Sequence, residues 1–100
     1  MRAIGYDRFG RAEDVLKIIE LPDPSPDVGE VVVQLTYSGV NPSDVKARAG
    51  LRPGVSTPAF DLIVPHSDGA GIITLVGEGV DKNRIGERVW IWNGQWARAF

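Results

Sequence analysis

Cysteine is absent from this 100-residue chain. That excludes disulfides and thiolate metal sites outright. Histidine occurs once, at His66. A metal site on His66, with Asp68 beside it and Asp44 elsewhere, would lack a second histidine, a thiolate and any helical i, i+4 pair. His66 therefore reads as a structural or exposed histidine, and no metal is expected. Nor does any serine have a base in a motif around it, so nucleophilic triad chemistry has no support. No apolar run approaches the ~20 residues that span a bilayer. Residues 1–8 lack the long apolar core of a signal peptide, so the expected location is cytoplasmic, with no membrane partner. An excess of positive charge is missing too. Eleven basic residues against thirteen acidic give a net charge of -2, and a nucleic-acid partner would want a basic face.

What is present is ordinary soluble composition, 43% apolar and 24% charged, which suggests one domain over residues 1–100. A chain this long buries roughly two thirds of its unfolded surface, enough for one modest core. Residues 1–6 read as a first strand and 7–11 as a loop. Residues 15–21 read as a second strand, because Val15, Ile18 and Ile19 are β-branched. Three prolines make 22–27 a surface connection. Residues 31–37 alternate as a half-buried strand does. Residues 51–60 are irregular and longer than most loops, as binding loops and lids often are. Residues 71–76 read as a strand, 77–79 as a turn and 81–87 as a polar loop. A strand over 88–92 meets a hairpin signal at Asn93-Gly94, and a return strand starts over 95–100. Many short strands, frequent Gly/Pro turns and one short helix predict a mostly-β barrel or sandwich.

The single helix starts at the corner Gly39-Val40-Asn41-Pro42-Ser43-Asp44. Asn41 is a good N-cap, Pro42 suits the first helical position, and Asp44 sits near the positive end of the helix dipole. Gly50 closes the helix as a C-cap. A polar residue on such a corner is placed to meet a ligand. The plainer reading is that Asn41 only caps and Asp44 only complements the dipole. Neither Gly69-Ala70-Gly71 nor Gly77-Glu78-Gly79 makes a dinucleotide fingerprint, since no helix follows either. Both read as turns or as places of close backbone packing. The strand Val89-Trp90-Ile91-Trp92 is apolar on both faces, with Trp96 and Phe100 following. It is either a central strand of the core, the reading preferred here, or a surface that packs on something outside the chain.

Four segments together resemble a family. They are Gly39-Val40-Asn41-Pro42-Ser43-Asp44, Ser67-Asp68-Gly69-Ala70-Gly71, Val76-Gly77-Glu78-Gly79-Val80 and Ile85-Gly86-Glu87-Arg88-Val89. Their order and spacing resemble the N-terminal region of medium-chain dehydrogenase/reductases, and within them the zinc-free quinone oxidoreductases. The resemblance implies a GroES-like β-barrel with one short helix, the catalytic domain of a two-domain enzyme. It implies NADPH as hydride donor and a quinone or α,β-unsaturated carbonyl as acceptor. Asn41 stands at the cysteine position of the superfamily's zinc alcohol dehydrogenases, and Ser67-Asp68 stand at the His-Glu pair, so a zinc enzyme is not expected. By the same resemblance Asn41 contacts nicotinamide or substrate, with Pro42 beside it on the cofactor side. Lys46 and Arg52 stand where the family often has tyrosine. They are candidates to stabilise charge on a more polar or anionic acceptor, or else simply reach solvent.

Family members continue past this point and build a Rossmann domain. The chain therefore resembles the first part of such an enzyme, cut in or near a hairpin. By itself it is expected to bind NADPH weakly or not at all, and to be inactive. A homodimer or the missing Rossmann domain would be its protein partner. The alternative is a stand-alone barrel that acts as an interaction module through the strand holding Trp90 and Trp92. A zinc dehydrogenase would require stoichiometric metal.

Overall fold

A computed structural model describes residues 1–94 of the chain. The strands form two antiparallel sheets. In the first, β1 (Arg2–Gly5) pairs with β2 (Lys17–Glu20). In the second, β4 (Asp68–Val76) lies between β3 (Val31–Gly39) and β5 (Arg88–Ile91). Two helices complete the set, a single turn α1 (Ala12–Val15) and the longer α2 (Pro42–Ala49). A 3-10 turn at Lys82–Arg84 lies in the expected polar loop.

The strand expected over 15–21 is corrected. Val15 is the last residue of α1 and is fully buried, and the strand begins only at Lys17. Glu13 and Asp14 fill the first turn, where the helix dipole favours them. The Arg8 guanidinium donates to the Asp14 carbonyl at 3.0 Å. One buried anchor and this local charge pattern outweigh the β-branched preference of a lone valine.

The strand expected over 71–76 starts earlier, at Asp68. Its glycines explain the extension. A Cβ on Gly71 would collide with the Gln34 carbonyl oxygen across the β3–β4 pair. Gly69-Ala70-Gly71 is thus a stretch of close backbone packing within a strand.

β5 differs most from expectation. The sequence favours a central strand here, but among the described residues β5 pairs with β4 alone. Trp90 is 77% exposed and Trp92 is 73% exposed. The register sets Tyr37, Ala70 and Trp90 in one row across the sheet, and Tyr37 is exposed as well. Residues 95–100, which include the expected return strand, Trp96 and Phe100, lie outside the described residues.

The modest core expected from length is also smaller than foreseen. Tyr6, Val15 and Ile73 are the buried large side chains among the described residues. The chain exposes 7355 Å², against ~5,600 Å² expected for a compact monomer of its mass.

Candidate functional site

The site grows from the corner where β3 ends. Asn41 has extended backbone angles, Pro42 follows at the start of α2, and Gly50 closes the helix at φ 74°. A capping box joins Asn41 and Asp44. Its Asp44 half is tight, with the Asn41 N–H donating to one Asp44 carboxylate oxygen at 2.7 Å. The other Asp44 oxygen accepts the His66 backbone N–H at 3.2 Å. Asp44 therefore complements the dipole and also ties α2 to the segment that leads into β4.

Asn41 does more than cap. Its side-chain amide donates to the Asp68 carboxylate at 2.7 Å. His66 lies between these contacts with φ 84°, a left-handed conformation uncommon for a residue with a side chain. Its ring Nδ1 meets the Ser38 hydroxyl at 2.7 Å. His66 is thus half-buried and hydrogen-bonded. Among the described residues no group of three or more His, Asp or Glu side chains could hold a metal.

A cleft of about 360 Å³ opens beside this corner. One wall is α2, through Ser43, Asp44 and Ala47. A second wall is the end of β1 and its loop, through Tyr6 and Phe9. The third is the long irregular segment after the helix, which contributes Arg52, Val55, Pro58 and Phe60. Backbone bonds hold the walls in place. Tyr6 and Ile63 exchange N–H···O bonds of 2.9 and 2.8 Å, and the Gly10 N–H donates to the Arg48 carbonyl at 3.0 Å. Phe9 packs so closely on Gly50 that a Cβ there would come within 2.6 Å of its ring.

A second groove, of about 380 Å³, lies against the three-stranded sheet, along the ends of β3, β4 and β5. Tyr37, Trp90 and Trp92 flank it, and Gly69 and Ala70 lie in its lining. Asp68 lines it as well. The Asn41–Asp68 bond therefore spans from the helix corner toward this groove.

Of the residues singled out in the sequence, Arg52 lines the first cleft. Lys46 is exposed and lines neither cavity. Asn41 is half-buried at the corner and Pro42 is exposed. Sequence reasoning missed Tyr6, which is buried and lines the cleft. Burial pushes its phenol pKa above the usual value, with Asp44 adding to the shift while Arg48 and Arg52 oppose it. The signal was available, because a tyrosine that ends an apolar strand must find either a partner or an opening for its hydroxyl.

The comparisons with known proteins agree on one family. The model of the alcohol dehydrogenase GroES-like domain matches residues 27–99. An alcohol dehydrogenase of Moraxella sp. (strain TAE123) is 38% identical over 91 residues, which cover 91% of this chain and 25% of that protein. The chloroplastic quinone-oxidoreductase QR1 of Triphysaria versicolor is 36% identical over 90 residues, covering 89% of this chain and 27% of that protein. Among solved structures, the Escherichia coli quinone oxidoreductase complexed with NADPH matches with a TM-score of 0.73 and 31% identity, over 90% of this chain and 26% of that one. The chain spans about a quarter of the length of the curated relatives it matches. No helix among the described residues is long and apolar enough to cross a membrane.

Proposed function

Because the chain belongs to the alcohol dehydrogenase GroES-like domain family, we propose that it is the acceptor-binding, catalytic-domain part of an NADPH-dependent reductase of quinones or α,β-unsaturated carbonyl compounds. One observation carries this reading. A largely apolar cleft with Arg52 on its wall adjoins a corner where Asn41 and Asp68 bond directly to each other. In the superfamily's zinc alcohol dehydrogenases, from which this sequence departs, a cysteine would stand at Asn41 and a His-Glu pair at Ser67-Asp68. Here an amide–carboxylate hydrogen bond holds the corner, and a metal-free reaction follows from that donor set.

The residues present fit the nicotinamide end of the cofactor. Pro42 leaves an exposed surface for a planar ring. Asn41 has a second amide N–H beyond the one given to Asp68, available for a carbonyl oxygen. The phosphates have no counterpart site among the described residues, since no Gly-x-Gly-x-x-Gly turn leads from a strand into a helix there. NADPH, when bound, supplies the hydride. The chain's own side chains orient the acceptor and meet the negative charge that grows on its oxygen. Of the two candidate cations, Arg52 is the one at the cleft.

The test has two arms. Calorimetric titration of this chain with NADPH should detect weak binding or none, and micromolar affinity would contradict the division of labour. The product of the intact reading frame, dialysed against chelator, should oxidise NADPH with 1,4-naphthoquinone as acceptor. Activity that appears only on adding zinc would overturn the metal-free reading.

A second reading has its own observation. The exposed Tyr37, Trp90 and Trp92 face suits an interaction module without catalysis. Light scattering separates the two, because a module that pairs through this face with a second copy would double in mass and lose that mass on Trp90→Ser.

A further inference from the structure

Tyr6 is only 4% exposed, yet no hydrogen bond to its hydroxyl occurs among the described residues. No fully buried side-chain nitrogen or oxygen among them lacks a partner. The hydroxyl is therefore not sealed in the interior, and the cleft that Tyr6 lines is the opening it has. Both Tyr6 backbone groups are bonded to Ile63, which fixes the main chain that carries the ring. Opening on the cleft with no protein partner, the phenol O–H has its donor free for a ligand oxygen.

The surroundings specify that ligand. Phe9, Phe60, Val55 and Pro58 offer an apolar lining. The volume of about 360 Å³ falls within the ~300–1,000 Å³ of ordinary small-molecule sites. Arg52 sits on the same cleft and has donors only. A phenol donor and a guanidinium donor over an apolar wall suit a flat hydrocarbon body that carries an acceptor oxygen.

We propose that the Tyr6 hydroxyl donates the hydrogen bond that holds the carbonyl oxygen of the acceptor in this cleft, with Arg52 beside it. The inference rests on the reductase reading above and adds the group that grips the acceptor. The charged groups that face Tyr6 are Asp44 and Arg48 on α2 and Arg52 beyond it. Burial and Asp44 raise its pKa against the opposing pull of the two arginines, and the phenol keeps the proton it donates.

The experiment uses this chain and two probes of the same skeleton, 1,4-naphthoquinone and naphthalene, followed by amide NMR shifts. The chain has no thiol to add to the quinone. Tyr6→Phe should weaken naphthoquinone binding about 3- to 10-fold, the worth of one neutral hydrogen bond, and leave naphthalene unchanged. An equal loss for both probes, or no loss for either, overturns the proposal while the reductase reading stands. If the wild-type chain binds neither probe, the acceptor-cleft reading itself falls. A second readout needs no variant. Only two tyrosines occur, so Cζ-labelled tyrosine gives two signals. The Tyr6 signal should move with naphthoquinone and stay still with naphthalene, and equal movement with both would overturn the hydrogen bond.

Discussion

Asn41 and Asp68, 27 residues apart in the chain, meet through a 2.7 Å hydrogen bond that fastens the corner before α2 to the first residue of β4. The same asparagine begins the helix. One side chain thus sets both the direction of α2 and the height of its first turn over the sheet. Asn41→Ala removes the cap and leaves the part-buried Asp68 carboxylate short of a donor. The expected loss is about 2–5 kcal/mol in urea unfolding, the sum of a cap and one charge-assisted bond. A loss indistinguishable from that of an exposed substitution such as Asp23→Ala would mean that the contact is ornamental.

Asp44 makes two backbone contacts, one with each oxygen. Asp44→Asn keeps one acceptor oxygen and turns a donor toward an N–H group. It should cost about 1–3 kcal/mol and expose the backbone N–H of His66 to faster hydrogen exchange. Unchanged exchange at His66 would show that Asp44 matters only to the helix.

Gly71→Ala tests the close approach of β3 and β4. The added methyl meets the Gln34 carbonyl, which is backbone and cannot swing aside. Destabilisation of at least about 2 kcal/mol is expected, at the upper part of the range for overpacking. Wild-type stability in this variant would contradict the register drawn between the two strands.

Alkaline pH should act through Tyr6. Its native pKa lies above the ordinary value of 10.0, so between those two values the unfolded chain has released a proton that the folded chain keeps. Stability therefore falls with rising pH in that window. The contribution of the neutral phenol is complete below pH ~10 and is lost as pH climbs through the native value. Urea midpoints measured from pH 8 to 12 should show wild type losing more than Tyr6→Phe above pH 10. A loss of equal size in both proteins would mean that Tyr6 titrates as a free tyrosine does.

The two cations should separate. Arg52→Tyr should lower the preference for a sulfonated over a neutral naphthoquinone about 2- to 5-fold, the scale of a solvent-screened ion pair. Lys46→Tyr should leave that preference unchanged, since Lys46 lies outside both cavities. Equal effects from the two variants would place the anionic end of the acceptor elsewhere.

Much of this corner was legible from local chemistry. Asn41, Pro42, Asp44 and Gly50 each carry a positional preference that acts within four residues, and the helix formed where those preferences agree. The four family segments also carried the fold, since each marks a turn or a close backbone contact. Contacts that close over long separations were not legible. No local rule brings Asn41 to Asp68, or turns the Tyr6 hydroxyl to a segment more than forty residues away. Val15 misled because its β-branched side chain speaks for a strand, while its burial as the anchor of α1 is a tertiary fact. The Val89-to-Trp92 run misled for the opposite reason. Apolar residues on both faces of a strand argue for cover on both sides, and among the described residues Trp90 and Trp92 have little.

A carbonyl acceptor that enters the cleft between α2 and the 51–63 segment must perturb the amides around it, and titration of the chain with 1,4-naphthoquinone reads those shifts. The largest shifts should fall at Phe9, Ala47, Gly50 and Ile63, around the Tyr6 hydroxyl and Arg52. Shifts confined to Tyr37, Gly69, Ala70 and Trp90, which line the second groove, would place the acceptor outside this cleft.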